Sequence, residues 1–387
     1  MCALLLASCS RAVPQGPTPT GYDAVSPARL AYKSLYSFKG GTDAGYPDGA
    51  LTNISGTLYG TTYGGGGGYQ WGTVYSIGTD GSERVLYRFK AGKDGAHPEG
   101  ALVNLNGTLY GTTYQGGASG SGTVFAITTA GKEHVVYSFK GGKDGQYPYC
   151  TLLADGGSLY GTTFGGGVSG GWGVVFKVTT TGSEHVLYKF KAGTDGAHPY
   201  SGLILASGKL YGTTQEGGTT GSGTVYSVTT AGVEHVIYSF QGGNNDGQYP
   251  YAGLIDVKNE LYGTTYQGGI STGWGIVFKV NPAGGENVLY RFRAGLDGAH
   301  PTYSGVIFVN GMLYGTTQQG GASGAGTVFG MTPGGSEKVL YSFKGGSDGQ
   351  YPYAGLHGLN GTLYGTTNAG GSANCSGGCG TVFKITP

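Results

Sequence analysis

The sequence repeats one short phrase, LYGTT, seven times at nearly even intervals. The copies begin at Leu58, Leu109, Leu159, Leu210, Leu261, Leu313 and Leu363, so consecutive copies lie 50 to 52 residues apart. Self-similarity at such a period is typical of solenoids and propellers, in which each repeat is one supersecondary unit that packs on its neighbours. The repetition therefore constrains the architecture before any single residue is considered.

Each repeat contains four short segments with the composition of β-strands. In the second repeat they are GALVNL, GTLYGTT, GTVFAIT and EHVVYSF, all rich in Val, Tyr, Phe and Thr and separated by glycine. Asn106-Gly107 predicts a tight hairpin between the first two strands, and Ala130-Gly131 joins the last two. The second-to-third loop and the link between repeats are longer. In an up-and-down blade these two connections emerge at the same end.

The two ends of the chain predict a closed ring. The last repeat stops at GTVFKITP without a fourth strand, and KSLYSF, Lys33 to Phe38, is a single copy of that strand at the other end. Pairing of this segment with the last repeat would remove the exposed sheet edges. The predicted fold is all-β: a seven-bladed β-propeller of four-stranded antiparallel blades over residues 33–387, closed by an N-terminal strand that completes the last blade.

A two-blade period is superimposed on the repeat. GQYP and GAHP alternate in the links, and Trp71, Trp172 and Trp274 precede the third strand in alternate blades. The alternation breaks in the seventh blade, where CSGGC replaces the tryptophan segment. Cys375 and Cys379 are predicted to form a disulfide, with two unpaired thiols as the alternative. Cys150 fills a position that is alanine in sister repeats, so we expect a small buried residue.

The N-terminus predicts an exported protein. Leu6-Ala7-Ser8-Cys9 resembles a bacterial lipoprotein box, which makes residues 1–9 a signal segment and Cys9 the lipidated residue. The short apolar core and the absence of a charged start depart from ordinary export signals, and an accidental match is the alternative. Residues 10–32 are Pro-rich and predicted to be a tether. We expect a protein that is lipid-anchored to the bacterial outer membrane or cell surface.

Composition excludes several classes. The chain has 84 glycines without a three-residue period, which excludes collagen, and its 31 Tyr and 14 Phe argue against disorder. The net charge is +1 and no basic stripe is present, so no nucleic-acid partner is predicted. No apolar run reaches the roughly 18 to 20 residues that span a bilayer, so membrane contact is expected only through the lipid anchor. A monomer is expected.

The repeated segments VLYSFKGG, LYGTT and GTVF together resemble the GloVer-type (Gloeo/Verruco) tandem-repeat proteins of bacteria, also called choice-of-anchor repeat proteins. The resemblance covers Leu35 to Pro387. It implies a protein that is exported and held at the surface by one of several kinds of anchor. It carries no catalytic residue to this chain.

Asp48 and Glu99 are the candidate catalytic residues. They follow the link proline at the position that is Tyr149, Tyr200, Tyr251 and Tyr353 in other blades. Neighbouring blades would place these two carboxylates near the mouth of the central channel, where such a pair can serve acid–base chemistry or glycoside cleavage. The alternative is two solvated acids on a rim. The sequence contains no zinc-ligand motif of the HExxH kind and no phosphate loop.

Repeated polar and aromatic residues are the candidate ligand-binding groups. They are Trp71, Trp172, Trp274, Asp94, His97, Asp195, His198, Asp297 and His300. The tryptophans offer apolar platforms on the loop-bearing face that suit sugar rings, and the alternative is packing over the neighbouring blade. The aspartates precede glycine and are typical of turns. Ca²⁺ is the alternative ligand, but each loop supplies only one carboxylate, so no metal or cofactor is predicted.

Three functional hypotheses follow. The first is a surface-anchored binding or scaffold propeller that recognises glycan, or a surface protein, through the long loops of one face. The second is a polysaccharide hydrolase or lyase that uses Asp48 and Glu99. The third is a purely structural envelope protein.

Overall fold

The computed structural model describes residues 30–65, 70–271, 273–301, 303 and 305–387, and it shows a seven-bladed β-propeller. Each blade is an antiparallel sheet whose four strands follow one another outward from the axis. Blade one contains Thr52–Ile54, Thr57–Thr62, Thr73–Ile77 and Glu83–Arg88. Blade two contains Val103–Leu105, Thr108–Thr113, Thr123–Thr128 and Glu133–Ser138. Blade three contains Leu153–Asp155, Ser158–Thr163, Val174–Thr179 and Glu184–Lys189.

The remaining blades have the same order. Blade four contains Ile204–Ala206, Lys209–Thr214, Thr224–Thr229 and Glu234–Ser239. Blade five contains Ile255–Val257, Glu260–Thr265, Ile276–Val280 and Glu286–Arg291. Blade six contains Ile307–Val309, Met312–Gln319, Thr327–Met331 and Glu337–Ser342. Blade seven contains His357–Leu359, Thr362–Thr367, Thr381–Thr386 and, from the other end of the chain, Ala31–Ser37. The predicted fold class is confirmed.

Short pairings and turns complete the links. The paired segments are Ala44–Gly45 with Gly64–Gly65, Gly247–Gln248 with Gln267–Gly268, and Ala299–Pro301 with Met312–Gln319. The 3-10 turns are Gly92–Asp94, Gly142–Asp144, Gly193–Asp195, Gly295–Asp297 and Gly346–Asp348. Among the described residues, no helix is long and apolar enough to cross a membrane.

The N-terminal strand closes the ring as expected. Ala31–Ser37 pairs antiparallel with Thr381–Thr386, with Lys33 opposite Lys384. Phe38, directly after the strand, is fully buried. The strand begins two residues before Lys33, so the last residues of the predicted tether take part in the sheet. The predicted signal segment, Cys9 and the rest of the tether lie outside the described residues.

The first half of LYGTT is specified by packing. Leu109 is fully buried in blade two. A Cβ atom on Gly111 would lie 2.7 Å from Cζ of Phe125, whose ring crosses the glycine from the adjacent strand. The same close approach of a third-strand aromatic ring recurs at Gly60, Gly161, Gly212, Gly263, Gly315 and Gly365. Only glycine leaves room for that ring.

The two threonines of the phrase have different roles. Thr112 donates a hydrogen bond of 2.9 Å from Oγ1 to the carbonyl of Cys150, which lies in the link to blade three. The Thr113 hydroxyl lies 2.8 Å from the hydroxyl of Thr123 on the third strand and 2.9 Å from the carbonyl oxygen of Gln115. One threonine therefore joins neighbouring blades, and the other fixes the start of the long loop within its own blade.

Aromatic pairs hold neighbouring blades together. The buried phenylalanine after each outer strand packs edge-on against an aromatic ring of the next blade, as Phe139 does against Phe176 at 5.0 Å between ring centroids. Equivalent pairs are Phe38–Tyr75, Phe89–Phe125, Phe190–Tyr226, Phe240–Phe278, Phe292–Phe329 and Phe343–Phe383. Edge-to-face geometry is the favoured arrangement of such rings. All seven interfaces therefore share one contact.

Candidate functional site: the axial cavity

The links reverse direction at a strained residue directly before their proline. The residues there are Tyr46, His97, Tyr147, His198, Tyr249, His300 and Tyr351, with φ between 55° and 62°. Left-handed backbone is unfavourable for these residue types and persists only where the surroundings enforce it. At His97 both backbone groups are paired: its N–H donates to Trp71 at 2.8 Å, and its carbonyl accepts from Tyr114 at 3.0 Å.

The side chains that follow the link prolines converge on the axis. We call this set the axial ring: Asp48, Glu99, Tyr149, Tyr200, Tyr251, Tyr303 and Tyr353. Tyr149 and Tyr200 stack with 4.6 Å between centroids, and Tyr200 lies 5.2 Å from Tyr303. Tyr303 is 5.7 Å from Tyr353. The ring therefore places two carboxyl groups beside a continuous cluster of tyrosines.

Sequence reasoning missed Tyr303. Pro301 is followed by Thr302, so the tyrosine stands one position later than in the other blades. The sequence does record this insertion, because the spacing between Leu261 and Leu313 is the longest of the six between consecutive LYGTT copies. Tyr303 still reaches the axial ring in spite of this one-residue shift.

A cavity of about 570 Å³ lies on the axis. Asp48, Glu99 and four tyrosines of the axial ring line it, together with Tyr63, Asn368 and residues at the start of the inner strands such as Ile204 and Ile255. Of the described residues that line the cavity, none is Lys, Arg or His. The described wall is thus largely aromatic and apolar, with a few polar groups, two acidic side chains and no basic side chain.

The structure brings Asp48 and Glu99 together in this cavity, as expected from adjacent blades. Both side chains are half-buried because one side of each borders the cavity. Burial raises the pKa of Asp48 to about 7, opposed by a hydrogen bond from Asn368. Burial and then repulsion from Asp48 raise the pKa of Glu99 to about 8, opposed by the Tyr200 hydroxyl. At neutral pH the pair therefore holds both protonated and ionised carboxyl groups.

Side chains that follow the GTT triplets support the axial ring. Asn368 Nδ2 donates to Oδ1 of Asp48 at 2.6 Å, and Gln318 Nε2 donates to the Tyr353 hydroxyl at 2.6 Å. Within the ring, the Tyr200 hydroxyl donates to Oε2 of Glu99 at 2.9 Å. Each of these bonds joins different blades, so the ring is fixed before any ligand arrives.

Each predicted tryptophan lies against the histidine of the link that follows its blade. Trp71 packs edge-on to His97 at 5.3 Å, and His97 stacks on Tyr63 at 4.3 Å. His97 Nδ1 donates to the Tyr63 carbonyl at 2.9 Å, which fixes the tautomer because a carbonyl only accepts. The equivalent groups are Trp172, His198 and Phe164, and Trp274, His300 and Tyr266. The tryptophans are half-buried and also contact the core between blades.

The predicted aspartates hydrogen-bond to groups other than these histidines. Asp94 accepts hydrogen bonds from the Tyr87 hydroxyl at 2.6 Å and the Lys90 backbone N–H at 2.7 Å. Asp195 and Asp297 make the same two contacts in their own links. These contacts hold the link against the outer strand. Within the described part of the chain, no three His, Cys, Asp or Glu side chains are grouped so that they could hold a metal ion.

The three cysteines in the described part of the chain follow the sequence expectation. Cys375 and Cys379 form a disulfide, with a Cα–Cα distance of 5.1 Å. Cys150 is a free thiol that is fully buried, and this burial raises its pKa to about 11. The disulfide closes the loop that stands in place of the tryptophan segment in blade seven.

Comparison with protein-family models identifies the family. The Gloeobacter/Verrucomicrobia repeat model matches residues 24–221 and 206–387. The chain belongs to this family. The match confirms the resemblance carried by the LYGTT, VLYSFKGG and GTVF segments. No curated protein sequence matches the chain.

Solved structures share the fold at low sequence identity. The polysaccharide lyase Uly1 aligns with a TM-score of 0.54 at 11% identity, covering 89% of this chain and 91% of that chain. A puromycin hydrolase aligns with a TM-score of 0.52 at 12% identity, covering 86% of this chain and 53% of that one. At these identities the similarity shows the propeller fold alone.

Proposed function

We propose that this protein is a saccharide-binding propeller whose axial cavity receives part of the ligand. The observation that carries the proposal is the combination of tyrosine rings and carboxyl groups in one cavity. A tyrosine presents an apolar face and a polar tip, which suits the C–H face and hydroxyl edge of a sugar ring. Asp48 and Glu99 supply acceptors for ligand hydroxyls. The cavity volume is within the range of small-molecule sites.

Preorganisation supports this proposal. The Asn368–Asp48 and Tyr200–Glu99 hydrogen bonds fix both carboxyl groups in the protein by itself. A site that is already ordered loses little conformational freedom on binding, so more of the contact energy contributes to affinity.

The rim of the loop-bearing face is the second part of the proposal. Trp71, Trp172 and Trp274, each beside its histidine, recur in alternate blades around the ring. Repeated weak contacts on a polymeric glycan would add to the affinity of the axial site. Ligand binding by these residues and by their link aspartates stays a prediction, as do lipid anchoring at Cys9, surface location and the monomeric state.

The experiment is calorimetric titration of purified protein with a panel of cell-wall and capsular oligosaccharides. The double variant Asp48→Asn, Glu99→Gln preserves shape while changing the acceptors, and binding should weaken about tenfold or more, since charge-assisted hydrogen bonds are the strong ones. Asp155→Asn is the matched control, because Asp155 is exposed on a hairpin outside the cavity. Loss of binding only in the triple variant Trp71→Ala, Trp172→Ala, Trp274→Ala would move the site to the rim.

An enzyme is the second candidate, favoured by one observation. Two carboxyl groups with pKa values of about 7 and 8 border the same cavity, which is the range that general acid and base catalysis uses at neutral pH. Polysaccharide turnover that is abolished by Asp48→Asn or Glu99→Gln would establish a hydrolase or lyase. A structural envelope protein would show neither binding nor turnover in these assays.

A further inference from the structure

The axial cavity carries acidic side chains that a neutral ligand would not balance in charge. Two carboxyl groups border it, and no cationic side chain is found among the described residues of its wall. The two carboxyl groups also repel each other, as the effect of Asp48 on Glu99 shows. A buried carboxylate without a countercharge is unfavourable, so the cavity is incomplete in electrostatic terms.

Tyrosine rings make the same cavity attractive to positive charge. Tyr63, Tyr149, Tyr200, Tyr303 and Tyr353 all contribute to its wall. The face of an aromatic ring carries partial negative charge, and several rings around one space form the cage that recognises ammonium groups in proteins. The rings and the carboxyl groups therefore favour the same kind of ligand, for independent reasons.

We propose that the group that enters the axial cavity is an organic cation, and that the saccharide ligand is an amino sugar with a free, protonated amine. This inference rests on the proposed function and names the substrate class of that site. The ammonium group would lie between Asp48 and Glu99, with the sugar ring against the tyrosines. Hydroxyl groups alone would leave the ionised form of the pair without a countercharge.

The surroundings of the carboxyl pair agree with this assignment. The titratable groups that interact electrostatically with one or both of these carboxyl groups, besides the two carboxyl groups themselves, are Tyr63, Tyr149, Tyr200, Tyr303 and Tyr353. Their pKa values lie above the ordinary carboxyl range because burial is not offset by a positive group. A bound cation would reverse this shift and release protons to the solvent.

The test uses three probes in calorimetric titrations of the full chain at pH 7. They are the tetrasaccharide of glucosamine, the matched tetrasaccharide of N-acetylglucosamine, and choline, whose charge does not titrate. We expect the glucosamine tetramer to bind about tenfold or more tightly than the acetylated one, a factor that one desolvated cation–aromatic contact can supply. Choline should bind, with a heat that varies between phosphate and Tris buffers as protons are released.

Variants separate the cation from the sugar. Asp48→Asn with Glu99→Gln should abolish the preference for the free amine, and Asp155→Asn should leave it intact. If the double variant fails to fold, the comparison of the two tetramers on the wild-type protein still tests the inference. The single substitutions Asp48→Asn and Glu99→Gln can then replace the double variant. Equal binding of both tetramers overturns the cationic inference and leaves the saccharide proposal standing. Choline binding without either tetramer supports the cation site and overturns the amino-sugar assignment. No binding of any probe overturns the inference, and the oligosaccharide panel then decides the saccharide proposal.

Discussion

At the residue scale, Gly111 illustrates why the LYGTT phrase tolerates so little change. A Cβ atom there would lie 2.7 Å from the Phe125 ring and 2.9 Å from Leu102 Cδ2. Phe125 is fully buried and itself packs on Phe89 of the preceding blade. A methyl group would therefore disturb both the blade and its interface, and the effect is steric because Gly111 does not need positive φ.

We predict that Gly111→Ala lowers the free energy of unfolding by about 1 to 3 kcal/mol, the usual effect of overpacking a core. Gly285→Ala is the matched control, since no atom outside its two chain neighbours lies within 4 Å of the position that its methyl group would occupy. That control should change stability by less than about 0.5 kcal/mol. Denaturant unfolding of the two variants checks this, and equal stabilities would contradict the packing explanation.

At the scale of the strand, the outer strands of blades one to six each begin with a glutamate that interacts with an aspartate of the preceding link. Glu133 lies beside Asp94 and Tyr87. The other pairs are Glu83–Asp43, Glu184–Asp144, Glu234–Asp195, Glu286–Asp246 and Glu337–Asp297. In the described part of the chain, one oxygen of each of the six glutamates is buried without a hydrogen-bond partner. Burial, with the nearby aspartate adding to it, raises the pKa of each glutamate to about 7, so each is mostly protonated below that pH.

The closing strand has no such pair. Tyr32 occupies the glutamate position there, stacks on Tyr341 at 3.9 Å, and donates to the Asp348 carbonyl at 2.8 Å. The junction where the two ends of the chain meet thus relies on aromatic packing in place of a glutamate–aspartate pair. It provides an internal comparison for the other six.

We predict that stability falls as pH rises from about 4.5 to about 7. Burial raises the pKa of these glutamates to about 7, so the folded chain binds more protons than the unfolded chain in that window. The stabilisation that these glutamates contribute is fully present below their pKa in the unfolded chain, about 4.5. It is lost as the pH rises through their pKa in the folded chain, about 7. Glu133→Gln, Glu184→Gln and Glu234→Gln together replace a titrating donor with a permanent one and should flatten the decline.

Thermal unfolding at several pH values between 4.5 and 8 measures this effect, with Asp155→Asn as the control. The triple variant should gain melting temperature relative to wild type at pH 8 and not at pH 5. A difference that is the same at both pH values would show that the glutamates do not carry the pH dependence.

At the scale of the whole molecule, circular closure places all seven links around one axis. The terminal pairing of Ala31–Ser37 with Thr381–Thr386 completes the last sheet. Phe38, directly after this strand, packs its ring against Tyr75 of blade one. The N-terminal segment therefore joins blade seven to blade one. Without this strand, the outer edge of Thr381–Thr386 would expose its hydrogen-bonding groups.

We predict that a chain beginning at residue 39 is much less stable than one beginning at Leu30 and that it self-associates. Loss of the buried Phe38 side chain alone costs about 3 to 5 kcal/mol. Melting temperature and light scattering after gel filtration report the two effects. A truncated chain that stays monomeric and melts at the same temperature would show that the ring does not depend on its N-terminal strand.

The sequence predicted the ring but only part of the site. Repetition and the orphan strand were enough for the blades and their closure, because each strand is specified locally. The convergence of Asp48 and Glu99 followed from adjacency of blades. Tyr303 was missed because one inserted residue shifts its position. The glutamate–aspartate pairs were missed because they depend on how neighbouring blades align, which no single repeat records.

The most direct test of the axial site is a crystal structure of the protein with the glucosamine tetrasaccharide bound. We expect electron density for a sugar residue in the axial cavity, with its amine between Asp48 and Glu99 and its ring against the tyrosines. Density confined to the rim at Trp71, Trp172 or Trp274, with the axial cavity holding only solvent, would contradict this assignment.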